Sequence, residues 1–128
     1  MTGETDLTKL LRTMCPVLAA TPYSFGLLPE GASLPGAFAL IREDEGTTVI
    51  APLEVLRAAG IAHQGPWARI SLTVHSALTA VGLTAAVATA LTREGISANV
   101  VAGYHHDHFF VQAGRAQDAM AVFARLSA

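Results

Sequence analysis

Apolar and polar residues alternate most clearly at Trp67–His75, where Ile70, Leu72 and Val74 interleave with Ser71, Thr73 and His75. A period of two marks a half-buried strand. From Leu83 the period lengthens. Leu83, Val87, Ala90 and Leu91 recur at helical spacing, and Gly95 supplies the stop. Between the two lies the turn Ser76–Thr84, with Gly82 just ahead of the helix. Ala98–Gly103 and His108–Gln112 read as strands around a turn at His105–Asp107. A last helix starts near Gly114 and turns Ala119, Val122, Phe123 and Leu126 inward.

The first half is less regular. Leu7, Leu10, Leu11 and Met14 fall on one helical face, with Thr5 or Asp6 as cap and Pro16 as terminator. Strands are expected at Tyr23–Leu28, Phe38–Arg42 and Thr47–Ala51, the last two joined by a hairpin turn at Glu43–Gly46. Pro29–Gly36 is rich in turn residues. Pro52 opens a short helix, Leu53–Ala59, which Gly60 ends, and Ala62–Pro66 connects it to the Trp67 strand. The two halves partly repeat: helix, strand, strand, helix in each. Two ferredoxin-like α/β plaits in tandem, each an antiparallel sheet with helices on one face, explain that order. The fold class is α+β. The boundary falls after Ala62, giving a degenerate N-terminal module at 1–62 and a C-terminal module at 63–128.

Composition narrows the partners. The 128 residues carry a net charge of −2, and the eight basic side chains are scattered, so nucleic acid is excluded as a partner. Hydrophobic content of 52% is high for a short chain, which points to apolar surface covered by a second subunit, most simply in a homodimer. No formally charged residue stands between Arg69 and Arg93, about the length of a spanning helix. The strand-like alternation at its start and Gly82 within it argue against a membrane span. The N-terminus lacks a secretory pattern, so the cytoplasm is the expected location. Cys15, the single cysteine, excludes an intramolecular disulfide and reads as a small, partly buried apolar residue.

The strand ISLTV, the turn HSALTAVGLTAAV, the helix end TREGIS and the strand ANVVAG together resemble the ACT family. The likeness is to small stand-alone proteins with two ACT-like modules, related to aspartate kinase regulatory regions and Castor-type arginine sensors. It covers Trp67–Leu126 well and the earlier residues mainly by position. The resemblance implies modules paired through their sheets and a small effector, commonly an amino acid, bound where modules meet. Carried onto this chain, its effector contacts fall on His75, Ser76, Val81, Gly82, Leu83 and Thr84, with Asn99 and Val100 on the following strand.

Independent chemistry supports that turn. A helix start leaves unpaired N–H groups with partial positive charge, which attract a carboxylate. Gly82 permits close backbone approach, and the Asn99 amide both donates and accepts. Each residue also has a plain structural reading: Gly82 as a turn glycine, Thr84 as an N-cap, Asn99 as a turn stabiliser. The Asp-x-x-Gly spacing of many ACT modules is missing before Gly82, so an α-ammonium group would depend on carbonyls or Asp107.

The rival chemistry is the run Tyr104–His108, YHHDH. Its imidazoles and carboxylate suit a transition metal if His75 or His63 joins them. Strand alternation separates His105 from His106 and His108, however, and no cofactor is expected. Catalysis fares worse. Ser76 directly follows His75, no phosphate-cradling glycine loop is present, and the aromatics Trp67, Phe109 and Phe110 read as core.

Overall fold

The computed structural model describes Gly3 and residues 5–128. Met1, Thr2 and Glu4, part of the N-terminal segment read above, lie outside the described residues. The chain forms helix α1 (Leu7–Thr13), strands β1 (Pro16–Leu18), β2 (Tyr23–Leu28), β3 (Ala39–Glu43) and β4 (Gly46–Pro52), then helix α2 (Leu53–Ala58). Strand β5 (His63–Leu72), helix α3 (Leu83–Arg93), strands β6 (Asn99–Ala102) and β7 (Asp107–Gln112), a short 3-10 turn and helix α4 (Ala116–Ser127) follow. These elements divide into two compact units, residues 20–67 and residues 1–19 with 68–128.

In the 20–67 unit the strand order is β3-β4-β2-β5, with β2 antiparallel to both β4 and β5 and β3 antiparallel to β4. This is the order of a ferredoxin-like plait whose fourth strand is the start of β5. Its first crossover carries no helix: the turn-rich stretch after Leu28 takes that place, and Leu34 and Ala37 cover the core of Val49, Ala51, Leu56 and Ile61 instead. Gly60, in the left-handed region at φ 68°, stops α2.

The larger unit has the strand order β1-β5-β7-β6, again a plait, with its first strand supplied by the end of β5. Its fourth strand is β1, which pairs antiparallel with β5 through Pro16–Leu72, Val17–Ser71 and Leu18–Ile70. The repeat read from sequence made α1 the first helix of the N-terminal half. Instead α1 packs with α3 and α4, and Leu10 and Met14 are wholly buried in their core. The apolar stripes drive this: Leu83, Val87 and Leu91 of α3 and Ala119, Val122 and Phe123 of α4 all turn inward. Phe109 meets Phe123 edge to face at 5.7 Å, worth about 0.5–1.5 kcal/mol beyond the area buried.

One local alternative is settled and one expectation changes. Of the two caps expected for α1, Asp6 takes the position, its Oδ1 accepting from the Lys9 amide at 3.1 Å. Cys15 is exposed, because the chain reverses there at φ 44° to send β1 back along β5.

Candidate functional site

The loop between β5 and α3 is shaped by bonds at both ends. Just past the end of β5, the Thr73 amide donates to the Met14 carbonyl at 2.9 Å and the Thr73 hydroxyl to the Cys15 carbonyl at 2.9 Å. Within the loop, the Ala80 amide donates to the Ala77 carbonyl at 2.9 Å and closes a tight turn. Gly82 then caps α3 with φ 102°, a backbone geometry open to glycine, and its carbonyl accepts the first helical bond from Ala86 at 2.8 Å. No side chain caps this end, so Thr84 lies inside the first turn instead of acting as N-cap. The first amides of α3 have no acceptor within the helix and carry its partial positive charge.

Gly3 and Leu7 lie against this loop. A Cβ placed on Gly3 would come within 2.5 Å of the Ala77 nitrogen, and one on Gly82 within 3.1 Å of Leu7 Cδ2.

Opposite the helix start, β6 ends at Ala102 and β7 begins at Asp107, the two residues facing each other across the hairpin. The turn between them is closed by the Gly103 amide donating to the His106 carbonyl at 2.8 Å. The half-buried Asp107 carboxylate accepts from the Ser76 hydroxyl at 3.3 Å, tying hairpin to loop. Between these walls is a cavity of about 140 Å³. Its described lining includes Ser76, Gly82, Leu83 and Thr84 of the sequence-predicted set, together with Ala102, Gly103 and Asp107.

The other predicted residues lie elsewhere. Val81 points outward with 82% of its surface exposed. His75 stands beside the cavity, its ring packed edge-on against His105 at 5.2 Å. Asn99 is exposed at the far end of β6, paired with Phe110, and Val100 pairs with Phe109; neither is among the described lining residues. The hairpin contribution of Ala102 and Gly103 escaped sequence reading because small apolar residues at a strand end carry no chemical signature.

The histidines turn to separate partners. His106 Nδ1 lies 3.4 Å from the Val74 carbonyl, His63 Nδ1 2.7 Å from the Ile61 carbonyl, and His108 Nδ1 2.7 Å from the Ser71 hydroxyl. Burial lowers the His108 pKa; Arg69 and His106 push it the same way, and Asp107 opposes them. Among the described residues no group of three or more His, Cys, Asp or Glu side chains is arranged to hold a metal ion. Nor is any described helix long and apolar enough to cross a membrane.

Two tandem plaits, with a loop-and-helix-start cavity in the second, define a class of regulatory α+β modules. The ACT-domain family matches residues 2–68 and again residues 63–125, and the chain belongs to that family. Its matches place two ACT domains in tandem and support a regulatory, ligand-binding role. A Vibrio cholerae protein of unknown function, described as a possible transport protein, is similar at 44% identity. That likeness covers 95% of this chain and 96% of the other, with a TM-score of 0.83. A protein from Agrobacterium tumefaciens is 16% identical over 84% of each chain, TM-score 0.69. The ligand-free regulatory subunit of aspartate kinase from Thermus thermophilus is 14% identical over 87% of this chain and 96% of its own, TM-score 0.62. These last two likenesses concern the fold alone. Comparison with curated proteins gives no match.

Proposed function

We propose that the cavity beneath the Ser76–Thr84 loop binds a free α-amino acid and that this chain regulates, without catalysis, as a homodimer. One observation carries the reading: the cavity has the uncapped start of α3 on one side and the Asp107 carboxylate on the other. A zwitterion needs that polarity. Its carboxylate meets the amides at the helix start, near Gly82, Leu83 and Thr84. Its α-ammonium meets Asp107, with the Ser76 hydroxyl holding the carboxylate in place.

Catalysis is poorly served by the same groups. Of the two hydroxyls in the described lining, that of Ser76 is bonded to a carboxylate, a weak base, and that of Thr84 is on an exposed residue; the described lining residues include no imidazole. Regulation requires only that the ligand bind one arrangement of the loop and hairpin better than another. Those two segments meet through the Ser76–Asp107 bond, so a ligand inserted between them acts directly on their spacing.

Isothermal titration with the common amino acids, on the wild-type chain and on Asp107→Asn, tests this. Asparagine preserves shape while removing the charge. A charge-assisted hydrogen bond contributes about 1.5–3 kcal/mol, so the variant binds roughly ten- to a hundredfold more weakly. Binding to no amino acid, or equal binding by the two proteins, refutes the reading.

A further inference from the structure

We infer that His75 and His105 together bind a zinc ion, a site that stands independently of the amino-acid reading above. Availability of the ring nitrogens is the first argument. Of the five histidines, His63, His106 and His108 each place Nδ1 within 3.4 Å of a carbonyl or hydroxyl oxygen. His75 and His105 make no hydrogen bond to a described residue, and their rings lie against each other, edge-on at 5.2 Å. The two come from different segments, His75 from the stretch after β5 and His105 from the turn between β6 and β7. Tyr104 also packs edge-on against His105 at 4.9 Å, which restricts where that exposed ring can go.

Separation is the second argument. With a zinc–nitrogen bond of about 2.1 Å and about 1.1 Å from each nitrogen to its ring centre, two imidazoles on one tetrahedral ion have centres about 5.2 Å apart. The observed separation is the same. Rotation about the Cβ–Cγ bond keeps a ring's centre in place while changing which way its nitrogens face, and that torsion is broad for histidine. The spacing therefore suits a shared ion with the backbone unmoved. Imidazole nitrogens favour zinc, nickel or copper over calcium and magnesium, which take oxygen. A square-planar ion would hold neighbouring imidazoles about 4.5 Å apart, so the spacing selects zinc. The described residues supply these two ligands and no third His, Cys, Asp or Glu. Water takes the remaining positions, so binding is weaker than at a closed four-ligand site.

Calorimetric titration of the full chain with zinc, in a buffer free of amino acids, tests the site. One zinc should bind per chain. Losing a direct ligand costs at least as much as losing an outer partner, so His75→Gln and His105→Gln each bind roughly tenfold or more weakly. His106→Gln should bind as the wild type does, because its ring centre lies 6.1 Å from that of His105. Electron paramagnetic resonance of bound copper(II) counts the imidazoles: two in the wild type, one in His105→Gln. His105 is exposed, so its replacement leaves the fold intact, which circular dichroism checks. No binding at millimolar zinc, or binding indifferent to His105→Gln, overturns the site. A loss in His106→Gln as large as in His75→Gln overturns the pairing. Neither failure bears on the amino-acid titration, which is run without metal.

Discussion

Replacing Gly82 by alanine probes the turn that aims the α3 amides into the cavity. At φ 102° an L-residue occupies a region that side chains seldom adopt, at a cost of about 1–3 kcal/mol. The added Cβ would also lie 3.1 Å from Leu7 Cδ2. That atom is the end of a flexible side chain and can move, so backbone strain is the larger effect. Taking about 2 kcal/mol, and a midpoint shift of roughly 3–6 °C per kcal/mol for a chain of this length, Tm falls by roughly 6–12 °C. Two further glycines calibrate the assay. Gly31, at φ 75° with nothing within 4 Å, isolates backbone strain, whereas Gly114 has open space and no left-handed geometry. Gly31→Ala should therefore be destabilised at most as much as Gly82→Ala. Gly114→Ala should be unchanged or stabilised by up to about 1 kcal/mol through the unfolded chain. Thermal and urea melts of the three variants give the order directly. If all three melt together, or Gly114→Ala falls as far as Gly82→Ala, the account of this turn is wrong.

Other consequences are equally direct. Ser24 is wholly buried and its hydroxyl has no hydrogen-bond partner among the described residues, so Ser24→Ala leaves stability unchanged or raises it by up to about 1 kcal/mol; a lower denaturation midpoint would contradict this. Leu91 is fully buried between α3 and its core, and Leu91→Ala costs about 2–5 kcal/mol in urea denaturation; a loss under 1 kcal/mol would mean the core is mis-assigned. His108 titrates below its unfolded value, so the folded state binds fewer protons there. Its contribution to stability is complete above about pH 6.5 and is lost as pH falls from there through the folded pKa. Stability measured from pH 7.5 to 5 should therefore fall less in His108→Asn than in the wild type; parallel curves would refute the assignment.

Periodicity made the C-terminal plait legible. The stripes on α3 and α4 and the alternation before His75 predicted elements that the structure shifts by a few residues. β5, expected from Trp67 to His75, runs from His63 to Leu72. Its start was read as a connection because Gly65 and Pro66 resemble a turn, yet pairing with β2 holds His63 and Gln64 in register. β1 was invisible: three residues carry no measurable period, and their strand geometry comes from β5 alone. The same blindness assigned α1 to the wrong core, since a helical stripe shows which face is buried but not against what. At the site, the loop and helix start were readable from Gly82 and the hydroxyls around it. Asn99 was placed by resemblance, and β6 carries it to the end away from the cavity, whereas Asp107 enters the lining because the hairpin sets it opposite Ala102.

The most direct test of the central claim is a backbone amide chemical-shift titration of the whole chain with each of the common amino acids in turn. The account predicts saturable shifts concentrated at Ser76–Thr84 and at Ala102, Gly103 and Asp107, with the Leu27–Thr47 region unmoved. Shifts centred outside that loop and hairpin, or none with any amino acid at millimolar concentration, would contradict it.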